Sequence, residues 1–596
     1  MFRNVLLILA CGYSVSEIAA QYYGTLHVND VEFTVSAEGH IGADTYGGSP
    51  TFFVPAGNGT LIIYSAGLWL AGLTDDGQLK VAADFFRAEG SDFFPGPLTI
   101  SGDASISPEV SAAYDHVWSV NALAVERHRA YFACLNDPEC DLSMAFPDGY
   151  DIPSDFITWP AVGDTDSDQA AYLAPFFDYN MDGAYSASDG DHPCVSGDHA
   201  LFSIFNDKLA PHTESNGEPL GVEVHMTSFA YSAVDPALEQ TVFVHYTVFN
   251  RSDQTLNDLR VGHFLDPDLG CAFDDFVGTD VSRSMSYVYN QDEHDGDCHG
   301  MAGFGSQPPA FGMVVLNGPK VDPDGLDNLT SHSLPAISGS GFGDLVIDNE
   351  RHGLSNTMTW LREGSFAVTD PTGPSHFFSY LGSYWKDGVH QSHGGMGYST
   401  EPGAVSSLFV YPGDSDPFGS GTNGVSLQDW AESVEGPFDR RGVSTLGSIT
   451  LEPGAQNDFL IAYVFARATT GGALASITAL QQRVDSIATF ARTIPGLVAT
   501  GSACDALTTV GVLDHSMENL GLSLFPVPTN QELNVSTRQF SADDRIEIFD
   551  AQGKQVSSSR TTGAVTAIDV QLLAPGLYTA RIAGSRFAAS GRFVKE

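Results

Sequence analysis

Between Ser523 and Glu596 one local pattern recurs: short runs of alternating apolar and polar residues, separated by Pro, Gly or Asn. Ser523-Leu524-Phe525-Pro526-Val527-Pro528 opens it, and Glu532-Leu533-Asn534-Val535 and Arg545-Ile546-Glu547-Ile548-Phe549 follow. Pro575-Gly576-Leu577-Tyr578-Thr579-Ala580-Arg581-Ile582 and Gly591-Arg592-Phe593-Val594 complete it. A period of two puts alternate side chains on opposite faces of an extended strand, and turn residues every few positions prevent helices. The pattern predicts a small antiparallel sandwich of the immunoglobulin kind.

The 62 Gly and 31 Pro of the whole chain extend that reading, together with 42% apolar and 11% aromatic residues. This is a turn-rich, folded composition. The expected fold class is mostly β: a sandwich-rich body of more than one domain with one late helix, then the small C-terminal sandwich. The expected divisions are 1–20, 21–210, 211–500, a linker 501–520 and 521–596. Thr241 to Phe249 alternates, turns at Asn250-Arg251-Ser252 and continues as Leu259 to Phe264, which reads as a hairpin. Leu474, Ile477, Leu480, Val484, Ile487 and Ala491 keep helical spacing over Leu474–Arg492.

The tail's motifs, in this order and at this distance from Glu596, resemble the type A C-terminal sorting domain of the type IX secretion system of Bacteroidota. Val527 stands where that family usually has Asn, while both flanking prolines remain. The resemblance implies export to the cell surface or beyond, with the type IX machinery as partner. Ser65 to Gly72, Asp189 to Cys194, Gly278-Thr279-Asp280 and Asp439-Arg440-Arg441 resemble segments of large secreted proteins that carry this domain. That likeness implies shared architecture and carries over no activity.

At the other end, Arg3, the apolar run Val5 to Ala10 and Ala19-Ala20 read as a signal peptide, with Cys11 as an alternative lipid-attachment point. No later segment is apolar enough to predict a transmembrane span. Six further cysteines suit an oxidising exterior, and Cys134–Cys140 and Cys271–Cys298 are the nearest pairings, with Cys194 and Cys504 unassigned.

Charge is concentrated in the body. The net charge is −48, yet the tail from Leu520 has eight Lys/Arg against seven Asp/Glu. Nucleic acid and anionic membranes are poor partners for such a body. Grouped carboxylates instead point to cations. Asp178, Asn180, Asp182, Ala184 (through its carbonyl), Ser186 and Asp189 fall at positions 1, 3, 5, 7, 9 and 12 of a calcium-type loop, with Gly183 at position 6. Calcium is the expected cofactor; a solvated Asx-rich turn is the alternative. Asp266, Asp268, Asp274, Asp275 and Asp280 form a second, weaker candidate, bracketed by Cys271 and Cys298. Asp439-Arg440-Arg441 is expected to pin a loop through charge pairing.

Nucleophile-elbow, zinc-protease and phosphate-loop motifs do not occur, and no Gly-x-Gly-x-x-Gly opens a helix. The expected role is therefore non-enzymatic: adhesion, binding of a surface glycan or other extracellular ligand, or a structural part of the exterior. The alternative is a secreted hydrolase of polysaccharide or protein, since a glycosidase needs only two placed carboxylates.

Overall fold

The computed structural model describes residues 23–492, apart from 43–51, 58, 86–89, 233–235, 330–332 and 434–437. It also describes residues 523–595, apart from 526–528, 537–544, 550–554, 562, 564 and 584–587. The expected signal peptide, Cys11, Val527, Cys504 and the linker 501–520 lie outside the described residues.

Apolar runs such as Phe459 to Ala466 are too continuous for a strand with one wet face, and the reason is visible in the packing. Two nine-stranded antiparallel sheets lie face to face. In the first, the strands run Tyr23–Leu26, Glu32–Ser36, Ile41–Gly42, Leu61–Leu73, Leu256–Pro267, Arg440–Leu451, Asn356–Leu361, with Phe52–Phe53 and Leu79–Ala83 pairing off this path. In the second they run Asp275–Asp280, Met285–Asn290, Ala310–Asn317, Gln456–Ala466, Thr241–Asn250, Val222–Ala230, His199–Asn206, Phe94–Pro95, with Trp118–Asn121 also pairing His199–Asn206. Along Gln456–Ala466, Phe459, Ile461, Tyr463 and Phe465 join the core between the sheets. Their neighbours Leu460, Ala462, Val464 and Ala466 face a second core on the other side.

Helix Gly472–Ala491 covers that outer face with Leu480, Val484 and Ile487. Leu480 and Ile487 are fully buried, each worth roughly 1.5–3 kcal/mol of apolar transfer. The expected stripe needs one correction: Leu474, in the first turn, is 66% exposed, and Ala473 and Ser476 are buried instead. The outer face of the first sheet is covered by helix Pro374–Tyr380, where Phe377 and Tyr380 meet Trp69, Phe264 and Trp360. A 14-residue helix, Ala122–Leu135, carries no apolar stripe that announces it and buries only His128, Phe132 and Cys134.

The expected hairpin at Asn250 is corrected as well. Thr241–Asn250 pairs with Val222–Ala230 and Gln456–Ala466 in the second sheet. Leu256–Pro267 pairs with Leu61–Leu73 and Arg440–Leu451 in the first. The turn thus arches between sheets, because the inward residues of both strands bury against each other across the core. Leu451 to Gln456 makes a parallel arch, and Asn250 Nδ2 ties the two together by donating to Leu451 O at 2.8 Å. Residue 210, the expected internal division, lies between stretches that contribute strands to both sheets.

The tail forms two sheets of its own, Ser523–Phe525/Glu532–Ser536/Val565–Asp569 and Gln555–Arg560/Arg545–Phe549/Gly576–Ala583/Ala588–Lys595. Leu533, Val535, Ile546, Ile548, Ile568 and Phe593 fill the space between them. Tyr578 OH donates to Ala574 O at 2.8 Å, which explains the pairing of Tyr578 with the Pro575-Gly576 turn.

Candidate metal centre

The loop from Asp178 to Asp189 is built by its own side chains. Asp178 accepts from the backbone N–H of Asp182 at 3.3 Å and Gly183 at 2.8 Å. Asn180 Oδ1 accepts from Asp182 N at 3.0 Å, and Asp182 Oδ1 from Ala184 N at 2.8 Å. Gly183, at φ +81°, supplies the sharp bend. Asn180, Asp182, Ala184 and Asp189 are exposed, while Asp178 and Ser186 are half-buried. Asp178, Asp182 and Asp189 do not bring three oxygens within 4.8 Å of one another. Sequence reading missed the loop's anchor, the fully buried Asp191, which accepts from Tyr179 N at 2.8 Å and Ser186 N at 2.7 Å. Its signals were its place two residues past the loop's end and its membership of the Asp189 to Cys194 segment, neither of which gave it a role.

The five acids of the weaker candidate divide into three places. Asp266 ends strand Leu256–Pro267, and Asp268 follows it, its N–H donating to Ile62 O at 3.1 Å. The neighbouring strand Arg440–Leu451 brings Asp439 alongside. Each of Asp266, Asp268 and Asp439 has a carboxylate oxygen within 4.8 Å of the others. Asp274 and Asp275 lie apart, near Asp295. Asp280 caps a short turn and pairs with Arg283 Nη1 at 3.0 Å while accepting from Gln481 of the late helix.

One guanidinium is shared among the converging acids. Arg441 lies 2.6 Å from Asp370, 3.3 Å from Asp439 and 3.5 Å from Asp266. The expected charge pairing at Asp439-Arg440-Arg441 is thus present, and Arg440 makes a separate buried pair with Glu432 at 2.6 Å. Asp266 Oδ1 and Asp439 Oδ1 are buried with no hydrogen-bond donor. Burial drives the Asp266 carboxyl well above the usual range against the pull of Arg441. Asp268 is pushed up to about 7, by burial first and then by Asp439. Carboxylates this close are tolerated only with a proton or a cation among them. Three carboxylates supply three to six hard oxygens, a donor set that fits calcium, which takes six to eight.

Comparison with known proteins bears on the tail alone. No curated protein matches the chain. Among solved structures, a polysaccharide lyase is similar over 66% of this chain and 39% of its own length, at 9% identity and a TM-score of 0.18. The chain therefore spans well under half of that protein, and a likeness at this score carries no inference. The family model "Secretion system C-terminal sorting domain" matches residues 523–596. Among the described residues no helix is long and apolar enough to cross a membrane. Residues 523–596 are a type IX secretion C-terminal sorting domain, and the protein that carries them is secreted to the cell surface or the extracellular space.

Proposed function

We propose that the body is a non-enzymatic module of the cell exterior, serving adhesion, ligand binding or structure, with calcium holding its acidic loops. The observation that carries this reading is the convergence of Asp266, Asp268 and Asp439 around buried oxygens that lack donors. Calcium at the Asp178–Asp189 loop belongs to the same proposal, supported by backbone turns already set in the loop. A surface glycan is the ligand class in view.

The hydrolase alternative draws on the same acids, because a carboxyl held near 7 beside another can pass a proton at neutral pH. The surroundings favour the first reading. The cavity beside Arg441 is about 40 Å³, Tyr287 is its only aromatic residue, and neither Asp266 nor Asp268 lines it. A ligand-enclosing site needs roughly 300 Å³ or more. The larger cavity, about 650 Å³, has no Phe, Tyr or Trp in its lining. A glycan-array and hydrolysis screen of the protein with calcium present separates the two. Glycan retention without turnover is expected, and release of reducing sugar or peptide that Asp268→Asn abolishes would establish the hydrolase instead.

A further inference from the structure

Asp275 and Asn290 stand directly opposite each other across strands Asp275–Asp280 and Met285–Asn290. Gln291 N donates to Asp274 O at 2.8 Å, so the next pair along, Asp275 and Asn290, is the closely spaced kind, with Cα atoms about 4.5 Å apart. Both residues are 1% exposed. Asp275 Oδ2 accepts from Leu269 N at 3.0 Å, while Oδ1 is buried without a donor. Asn290 directs Nδ2 at the carbonyl and carboxylate of Asp292, at 3.3 and 3.2 Å. Turning the amide over would set oxygen against those acceptors, so Asn290 Oδ1 is the atom left facing away, and it too is buried without a donor. The adjoining pair repeats the condition at Asp274 Oδ1 and Gln291 Oε1.

Two buried acceptors, Asp275 Oδ1 and Asn290 Oδ1, thus share one face at the end of this strand pair with no donor for either, and the other two lie on the opposite face. Leaving such a group unpaired carries the full cost of its lost hydration. The surroundings add negative charge and few protons: Asp295 already uses both oxygens on Cys271 N and Phe304 N. Arg440, the cation acting on Asp274, is bound to Glu432 at 2.6 Å. The Cys271–Cys298 disulfide tethers the segment.

We propose that Asp275 and Asn290, on the face of this strand pair that looks into the core between the sheets, form the nucleus of a further cation site that takes a hard ion of the calcium class. It is separate from the Asp266 cluster and stands or falls without it. Calcium bound to the full-length protein can be counted by native mass spectrometry, with the melting temperature followed through a calcium titration. Asp275→Asn and Asn290→Leu are each expected to lose one ion and to raise the calcium needed for half the thermal shift by on the order of tenfold or more. Leu572→Ala, at an exposed position of the sorting domain, is the control and leaves the ion count unchanged. Unchanged ion counts and titrations in both site variants would overturn the proposal, making Asp275 a neutral acid that donates its proton to Asn290. Should Asn290→Leu fail to fold, Asn290→Asp keeps the oxygen and adds charge. It is expected to bind at lower calcium, and a weaker response would equally overturn the site.

Discussion

Asp268 shows how a single residue couples ion binding to pH. Its carboxyl is raised from 3.8 to about 7 in the folded chain, by burial and then by Asp439. A raised carboxyl binds its proton more tightly folded than unfolded. Ion-free stability therefore falls as pH rises from about 3.8 to about 7, and the penalty is complete above that. Melting in chelator across this window should show that slope, and Asp268→Asn should reduce it. Equal slopes in the two proteins would remove Asp268 as its source. At the first loop, Asp182→Ala should abolish any calcium-dependent gain that the loop provides, whereas Asp191→Ala should loosen the loop with or without calcium. The difference arises because Asp191 is buried on two backbone N–H groups while Asp182 is exposed. Hydrogen exchange at Tyr179 and Ser186 distinguishes the two.

At the scale of elements, the late helix gives the sharpest contrast. Leu480 is fully buried against the second sheet and Leu474 is 66% exposed, although both satisfy helical spacing. Leu480→Ala should cost about 2–5 kcal/mol in urea unfolding, and Leu474→Ala about 0.5 kcal/mol or less. Spacing alone could not rank them, since Ala473 and Ser476 take the packed face in the first turn and Leu474 is turned away from it. The disulfide Cys271–Cys298 closes a separation of 27 residues that carries Asp274, Asp275 and Asp295. Removing it as a Cys-to-Ser pair should lower stability by about 2–4 kcal/mol through the entropy of the opened chain. Calcium response should weaken in the same variant.

For the whole molecule, the sorting domain and the body have separate cores. Deleting residues 523–596 should therefore abolish surface delivery in the native host while leaving the melting of the body unchanged. Immunoblots of surface and periplasmic fractions, with calorimetry of the truncated protein, check both halves of that expectation. The tail was legible because its strands are short and alternate between turn residues, so local pattern carries most of the information, although Glu532–Ser536 pairs with Val565–Asp569 and Arg545–Phe549 with Gly576–Ala583. The body was legible as β-rich but not in its pairing. Thr241–Asn250 and Leu256–Pro267 alternate as a hairpin does, yet they lie in different sheets. Period two says which face of a strand is buried and is silent about the partner. The metal centre divides along the same line. Asp266 and Asp268 stood out because they are close in sequence, whereas Asp439 arrives from 171 positions away through pairing of Leu256–Pro267 with Arg440–Leu451. Asn290 and Gln291 gave no motif, and the segment that holds Asp191 gave it no role, because what distinguishes these residues is burial of their polar atoms. By itself, then, the sequence determined the export route, the β-rich class, two disulfides and the acidity of the loops, all properties of local pattern and composition. Only the tertiary structure decided which strands share a sheet and which oxygens meet, because those depend on contacts across the core between residues hundreds of positions apart.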